Sequence, residues 1–211
     1  MHRRKNSRQN EGIEDCVSRE GKKAPAIFLD RDGTLIRDVG YLDRQDQVEI
    51  LPRVAEAIRL LRGQGFLLAV VTNQSAVARG RLTEEELGRI HDVLNARLAQ
   101  DDAYLDGIYY CPHHPTEGVG PYHVTCDCRK PNTGMIVKAV SDLGLDPSSS
   151  YVVGDQTSDM ELAARIGAKG VLIASRLVVG GDSPGSKHPV VGDLWQAAEW
   201  IVADFKQSSR R

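Results

Sequence analysis

Five short apolar runs, at residues 26–29, 66–71, 108–110, 151–153 and 170–173, are separated by segments with helical periodicity, and this alternation leaves few folds open. The runs are too short and too continuously apolar for half-exposed antiparallel strands, so they read as strands buried on both faces. The intervening segments carry helix signals. Pro52 suits a first helical position, and Val54, Ala55, Ile58 and Leu61 follow on one face until Gly63 and Gly65. Thr83-Glu84-Glu85-Glu86 has the form of a capping box ahead of Leu87, Ile90, Leu94 and Leu98. Asn132 and Thr133 can cap a helix with Ile136, Val137, Ala139, Val140 and Leu143, closed by Gly144. Residues 160–166 form another, stopped by Gly167, and Leu194, Ala197, Ala198, Ile201 and Phe205 mark a last one. Strands alternating with helices predict an α/β fold with a doubly wound, mostly parallel sheet.

The chain has 211 residues, enough for one such domain and too few for two. Residues 1–23 are polar and charged with almost nothing to bury, which predicts a disordered tail, followed by a domain over 24–206 and a short tail over 207–211. The net charge is −2 with both signs interspersed, so neither a nucleic-acid nor a membrane surface is expected. There is no apolar leader at the N-terminus and no bilayer-length apolar run. A cytoplasmic monomer acting on a small molecule is the expectation.

Chemistry gathers where the apolar runs stop. Asp30 and Asp32 follow the first run, and two acids this close call for a divalent cation or a shared proton. Thr72-Asn73-Gln74-Ser75 follows the second run and Gly154-Asp155 the fourth. In an open α/β sheet these ends face the ligand crevice. Three of the four cysteines, Cys111, Cys126 and Cys128, crowd into one loop with His113, His114 and His123. In a reducing compartment that pattern reads as metal binding rather than disulfides. Three thiolates and one imidazole make a closed Zn²⁺ set, with the three histidines competing for the fourth place. Cys16, alone in a polar stretch, reads as a spare thiol.

Taken in order, Asp30-x-Asp32-Gly33-Thr34, Thr72-Asn73, Lys130-Pro131 and Gly154-Asp155-x-x-x-Asp159 resemble the haloacid dehalogenase-like phosphatase superfamily over residues 25–175. The resemblance implies a Rossmann-like fold and a covalent mechanism. Asp30 would be the nucleophile, and Asp32 the acid and then the base. Mg²⁺ would be held by Asp30, the backbone carbonyl of Asp32 and Asp155. Thr72 and Lys130 would hold the phosphoryl oxygens, with Asp159 as a supporting hydrogen-bond partner in preference to a metal ligand.

The Cys111-x-His113 spacing matches the family's zinc loop, which selects His113 as fourth Zn²⁺ ligand with Cys111, Cys126 and Cys128. That loop is similar to the branch holding the heptose-bisphosphate and histidinol-phosphate phosphatases, and its length favours the former. The implied reaction is removal of the 7-phosphate of D-glycero-D-manno-heptose 1,7-bisphosphate. Histidinol phosphate or another small sugar phosphate is the alternative substrate, and a non-catalytic zinc-loop binding module is the alternative of another class. Asp38, Gly40, Tyr41, Asn73, Gln74, Ser75 and Arg129 look like substrate-contacting positions. Gln156 stands where the branch often carries Lys, and it supplies no charge to a second phosphate. The gaps between motifs are too small for a large cap domain, so the site should be open.

Overall fold

A computed structural model describes residues 23–174 and 188–208. The expected N-terminal tail up to residue 22, with Cys16, most of the Gly/Ser/Pro-rich stretch 180–189 and the last three residues lie outside these. Six strands form one sheet in the order β3-β2-β1-β4-β5-β6: β1 (Ala26–Leu29), β2 (Leu67–Asn73), β3 (Gly107–Cys111), β4 (Tyr151–Gly154), β5 (Lys169–Ile173) and β6 (Val190–Val191). Every pairing is parallel. The strand order reverses at β1, which lies between β2 and β4, and such a reversal opens a crevice at the carboxyl ends of those strands.

Alternate residues along the strands enter two separate cores. Ile27, Leu29, Leu68, Val70, Tyr151, Val153, Val171 and Ile173 face one, shared with α1 (Val54–Gly63), α3 (Glu84–Ala99) and α6 (Leu194–Ser208). Ala26, Phe28, Ala69, Val71 and Val152 face the other, closed by α4 (Gly134–Leu143) and α5 (Thr157–Ile166). This two-sided burial is why the runs read as continuously apolar.

Several boundaries differ from the sequence reading, each for a local reason. Thr72 and Asn73 lie inside β2, held in register with Tyr110 and Cys111 of β3. Immediately after it comes α2 (Ser75–Ala78), one turn long and without periodicity to betray it. Pro52 does not start α1, because Arg53 takes a left-handed conformation (φ 60°) and separates them. The Thr83 capping box forms as expected, with Thr83 Oγ1 accepting from Glu86 N at 3.1 Å and Glu86 Oε2 accepting from Thr83 N at 2.8 Å. At α4, by contrast, Thr133 makes no side-chain cap, and the Asn132 amide turns away to donate to Cys126 O at 2.8 Å. Helix α5 starts three residues earlier than expected, since Gln156 caps it and Asp159 Oδ2 reaches back to accept from Gln156 N at 3.1 Å.

The long connections over the strand ends carry little regular structure. Residues 30–53 contain one three-residue helical turn, Gln45–Gln47, and residues 112–133 another, Gly120–Tyr122. The first is nevertheless anchored: Ile36 bridges to Ile50, and Leu35, Ile36, Leu42 and Val48 are buried. Neither connection holds an element longer than three residues, so neither forms a separate cap domain. Among the described residues, no helix is long and apolar enough to cross a membrane.

Candidate active site and zinc-binding loop

Asp30 is carried just past the end of β1, and its backbone N–H donates to Val153 O of β4 at 2.9 Å, which fixes it at the crevice. Lys130 reaches it from the loop after β3. The Lys130 Nζ lies 2.6 Å from Asp30 Oδ1 and 2.7 Å from Asp159 Oδ1. The contact with Asp159 Oδ1 is an ion pair by distance but not a well-directed hydrogen bond, since that oxygen has no hydrogen-bond partner by geometry. Lys130, Asp30 and Asp159 are 5%, 6% and 0% exposed. Burial alone would lower the lysine pKa, but the two carboxylates outweigh it and hold the ammonium above its ordinary range.

Asp155, at the end of β4, adds a third carboxylate against that single ammonium. Oxygen atoms of Asp30, Asp155 and Asp159 lie within 4.8 Å of one another. Burial and then the Asp30 charge push the Asp155 carboxyl up to about 6. Its Oδ1 is buried with no hydrogen-bond partner. Gly33, at φ 75°, leaves the room this needs, because a Cβ there would lie 2.4 Å from Asp155 Oδ2. A buried, unpartnered carboxylate oxygen among hard oxygen donors with excess negative charge fits a divalent cation such as Mg²⁺.

Backbone clamps place the lysine. Asn73 Oδ1 accepts from Lys130 N at 2.9 Å while Asn73 Nδ2 donates to Lys130 O at 3.3 Å, so its whole amide is committed to one residue. Arg129 donates from Nη1 to Ser75 Oγ at 3.3 Å and to His113 O at 3.0 Å. One residue further back is the sulfur cluster. The Sγ atoms of Cys128 and Cys111 are 3.0 Å apart, those of Cys128 and Cys126 3.2 Å, and those of Cys111 and Cys126 3.5 Å. His113 Nδ1 is 3.3 Å from Cys128 Sγ and 3.8 Å from that of Cys111. These thiols are free, at spacings well beyond a disulfide bond of about 2.05 Å. Three sulfurs and a nitrogen this close can share one Zn²⁺ at bonds of about 2.0–2.3 Å. Burial raises the Cys111 thiol pKa strongly, so an ionised cluster needs a cation to offset it. His114 Nδ1 is engaged by Glu117 N at 3.0 Å, and neither His114 nor His123 joins the cluster.

Asp32 points into a cavity of about 420 Å³, whose wall also includes Asp38, Gly40, Tyr41, Asn73, Gln74, Ser75, Arg129, Asp155 and Gln156. All the substrate-contacting positions expected from sequence therefore border one space, beside the Asp30 cluster. Asp38 Oδ1 accepts from Gly40 N at 2.7 Å, which shapes the turn before Tyr41. The Tyr41 ring lies under two guanidiniums, 5.1 Å from Arg79 and 4.0 Å from Arg81. Gln156 Nε2 donates to Asp155 Oδ2 at 3.2 Å. Arg79 and His114 also line the cavity: His114 was considered from sequence only as a zinc ligand, and Arg79 was not singled out, because a lone Arg in a loop carries no spacing signal. Gln74 is 3% exposed, and its amide is spent inside the protein, on Arg31, Asp32 and Thr72.

Comparison with known proteins agrees with this geometry. The HAD-hydrolase-like family model matches residues 127–196. The D-glycero-beta-D-manno-heptose-1,7-bisphosphate 7-phosphatase of Escherichia coli K12 is 41% identical over 195 residues, covering 90% of this chain and 96% of the relative. That of Haemophilus influenzae is 45% identical over 172 residues, 80% of this chain and 92% of the relative. Among solved structures, a HAD-like phosphatase of Mesorhizobium loti superposes with a TM-score of 0.77 at 31% identity, over 89% of this chain and 88% of that one. The D,D-heptose 1,7-bisphosphate phosphatase of B. bronchiseptica, solved with magnesium and phosphate, gives 0.70 at 30% identity, over 85% and 99%. A parallel sheet with this acid and lysine cluster at its strand ends, and full-length relatives of one name, establish that the chain belongs to the HAD-like phosphatases, in the D-glycero-β-D-manno-heptose-1,7-bisphosphate 7-phosphatase family.

Proposed function

We propose that this phosphatase removes the 7-phosphate of D-glycero-β-D-manno-heptose 1,7-bisphosphate through a covalent phosphoenzyme. The observation that carries the reading is Lys130 bridging Asp30 and Asp159 beside Asp155, whose buried Oδ1 has no partner. An Asp30 carboxylate oxygen attacks phosphorus and the bond from phosphorus to the sugar oxygen breaks, while Asp32 gives its proton to that oxygen. Asp32, now a carboxylate, then takes a proton from the water that attacks the aspartyl-phosphate. Inorganic phosphate departs, and both acids return to their starting states.

Lys130 supplies a fixed positive charge for the phosphoryl oxygens. Thr72 Oγ1 already accepts from Gln74 Nε2 at 2.9 Å, which leaves its own proton free to donate to one of them. Asp30, the Asp32 carbonyl and Asp155 would hold Mg²⁺, which when bound offsets the charge of the transferring group. Asp159 stays a supporting group, since Lys130 and Gln156 N engage its two oxygens. The sugar would lie in the cavity against Asp38, Gly40, Tyr41, Ser75 and Gln156. Arg129, at the cavity wall, would supply the positive charge for a second phosphate that Gln156 lacks, while the Arg79 guanidinium beside it is already paired with Glu117. Cys111, His113, Cys126 and Cys128 would bind a structural Zn²⁺, because four protein donors leave no open position. Every group in this scheme comes from one chain, so a monomer suffices.

Phosphate release with Mg²⁺ should be measured on both anomers of the heptose bisphosphate and on histidinol phosphate. The β anomer is expected to lead in kcat/KM by about 10-fold or more, since a site built for a sugar's hydroxyls leaves buried groups unpaired with other substrates. Faster turnover of histidinol phosphate would overturn the substrate. Release from none of the three, and from no other phosphomonoester, would favour the zinc-loop binding module.

A further inference from the structure

Arg31 is the largest side chain that the fold buries completely, at 1% exposure, and the reaction scheme does not use it. A guanidinium keeps its charge in any surroundings, so burying one demands acceptors on every side. Arg31 Nη2 donates to Asp32 Oδ1 at 3.0 Å and Oδ2 at 2.9 Å, with Nε adding a bond of 3.3 Å to Oδ1. The same Nη2 donates to Gln74 Oε1 at 2.9 Å, and Nη1 lies 3.2 Å from His91 Nε2.

A guanidinium can only donate, so His91 Nε2 must be the unprotonated nitrogen and the ring proton sits on Nδ1. Burial and the neighbouring Arg31 charge push His91 down to about 3, so the ring remains a neutral acceptor near pH 7. The same logic orients Gln74. With Oε1 facing Arg31, its Nε2 donates to Asp32 Oδ2 at 3.1 Å and to Thr72 Oγ1 at 2.9 Å. His91 is 7% exposed and lies on α3 one turn after Leu87, on the face that packs into the core.

We propose that His91, Arg31 and Gln74 are positioning residues for Asp32: His91 fixes the guanidinium, and Arg31 with Gln74 then fixes the carboxylate at the cavity wall. The proposal rests on Asp32 being the proton donor of the reaction above. Asp32 itself keeps a side-chain exposure of 27%, so it is held from behind and open in front. Without an acceptor at position 91, one edge of the buried guanidinium loses its partner and turns to find another. The acid turns with it, although His91 touches neither substrate nor the carboxylate.

The test compares His91→Leu, His91→Gln and Asp32→Asn on two substrates, the best sugar phosphate of the screen above and p-nitrophenyl phosphate, whose leaving group needs no proton. His91→Leu should lower kcat on the sugar phosphate about 10- to 100-fold, and on the aryl phosphate less than about 3-fold. His91→Gln, which restores an acceptor oxygen, should return both to within about 3-fold of the parent. Should His91→Leu fail to fold, His91→Met is read in its place. Equal losses on both substrates, or no rescue by Gln, would overturn the positioning role. Asp32→Asn tests the underlying reading separately. Equal losses there refute proton donation by Asp32, whereas a selective loss there without one in His91→Leu refutes the positioning role alone.

Discussion

Asp30→Asn should abolish turnover while leaving the protein folded. The substitution keeps the shape of the side chain, and Lys130 retains Asp159 as an ion-pair partner, so secondary structure by circular dichroism should not change. The chemistry has no such reserve. Spontaneous hydrolysis of phosphate monoesters is among the slowest reactions known, and the nucleophile splits it into two manageable displacements. Loss of the attacking carboxylate should cost on the order of 10⁴-fold or more in kcat. Asp155→Asn would separate the proposed nucleophile from the proposed Mg²⁺ ligand. That variant should regain part of its activity at high Mg²⁺, because only affinity for the cation is weakened, whereas no Mg²⁺ concentration should rescue Asp30→Asn. Turnover retained in Asp30→Asn would rule out the covalent route.

The second large effect should come from a loop that does not touch the reacting atoms. Cys128 is followed directly by Arg129 and Lys130, and Arg129 is also held by the carbonyl of His113. Whatever fixes the sulfur cluster therefore fixes where both cations point. Structural zinc in small peptides contributes about 10–16 kcal/mol of apparent binding energy at neutral pH, ample to order a loop with little core of its own. Purified protein should contain about one Zn²⁺ per chain that Mg²⁺ does not displace. Cys128→Ser, Cys126→Ser or removal of zinc should lower phosphatase activity about 100-fold, the scale expected when a catalytic group is displaced by about 1 Å. Amide hydrogen exchange over residues 111–130 should accelerate in parallel. Full activity in a zinc-free, well-folded sample would show that Asn73 alone suffices to place Lys130.

What sequence could and could not reveal follows from the range over which each feature acts. The Thr83 capping box and the helix faces are set by neighbours within a few residues, so periodicity located them closely, whereas the end of β2 depends on its pairing with β3. The Asp30-x-Asp32 pair and the Cys/His loop were legible because their chemistry needs several like groups at short spacing. Arg31 shows the opposite case. No spacing marks it, and only the arrival of His91 from 60 positions away makes it a buried strut. For Asn73 and Gln74 the resemblance implies substrate contact, and both border the cavity. That their amides also reach the Lys130 backbone and the Arg31 network was not legible, because those contacts span 57 and 43 positions. The two-residue β6 is too short to leave a pattern at all.

The connections over the strand ends hold only three-residue helical turns and no folded cap domain, and this shifts a task from the protein to its ligand. In enzymes with a lid, closure expels water and completes the site, and part of the binding energy is spent on that motion. The expectation here is that the substrate's own body acts as the stopper. A molecule that fills a cavity of about 420 Å³ dries the neighbourhood of Asp30 as it enters, while a small monoester leaves it wet. Discrimination is then expected to depend on how well a guest seals the opening, and a second phosphate, if Arg129 at the cavity wall holds it as proposed, would be the plug that makes the first one reactive.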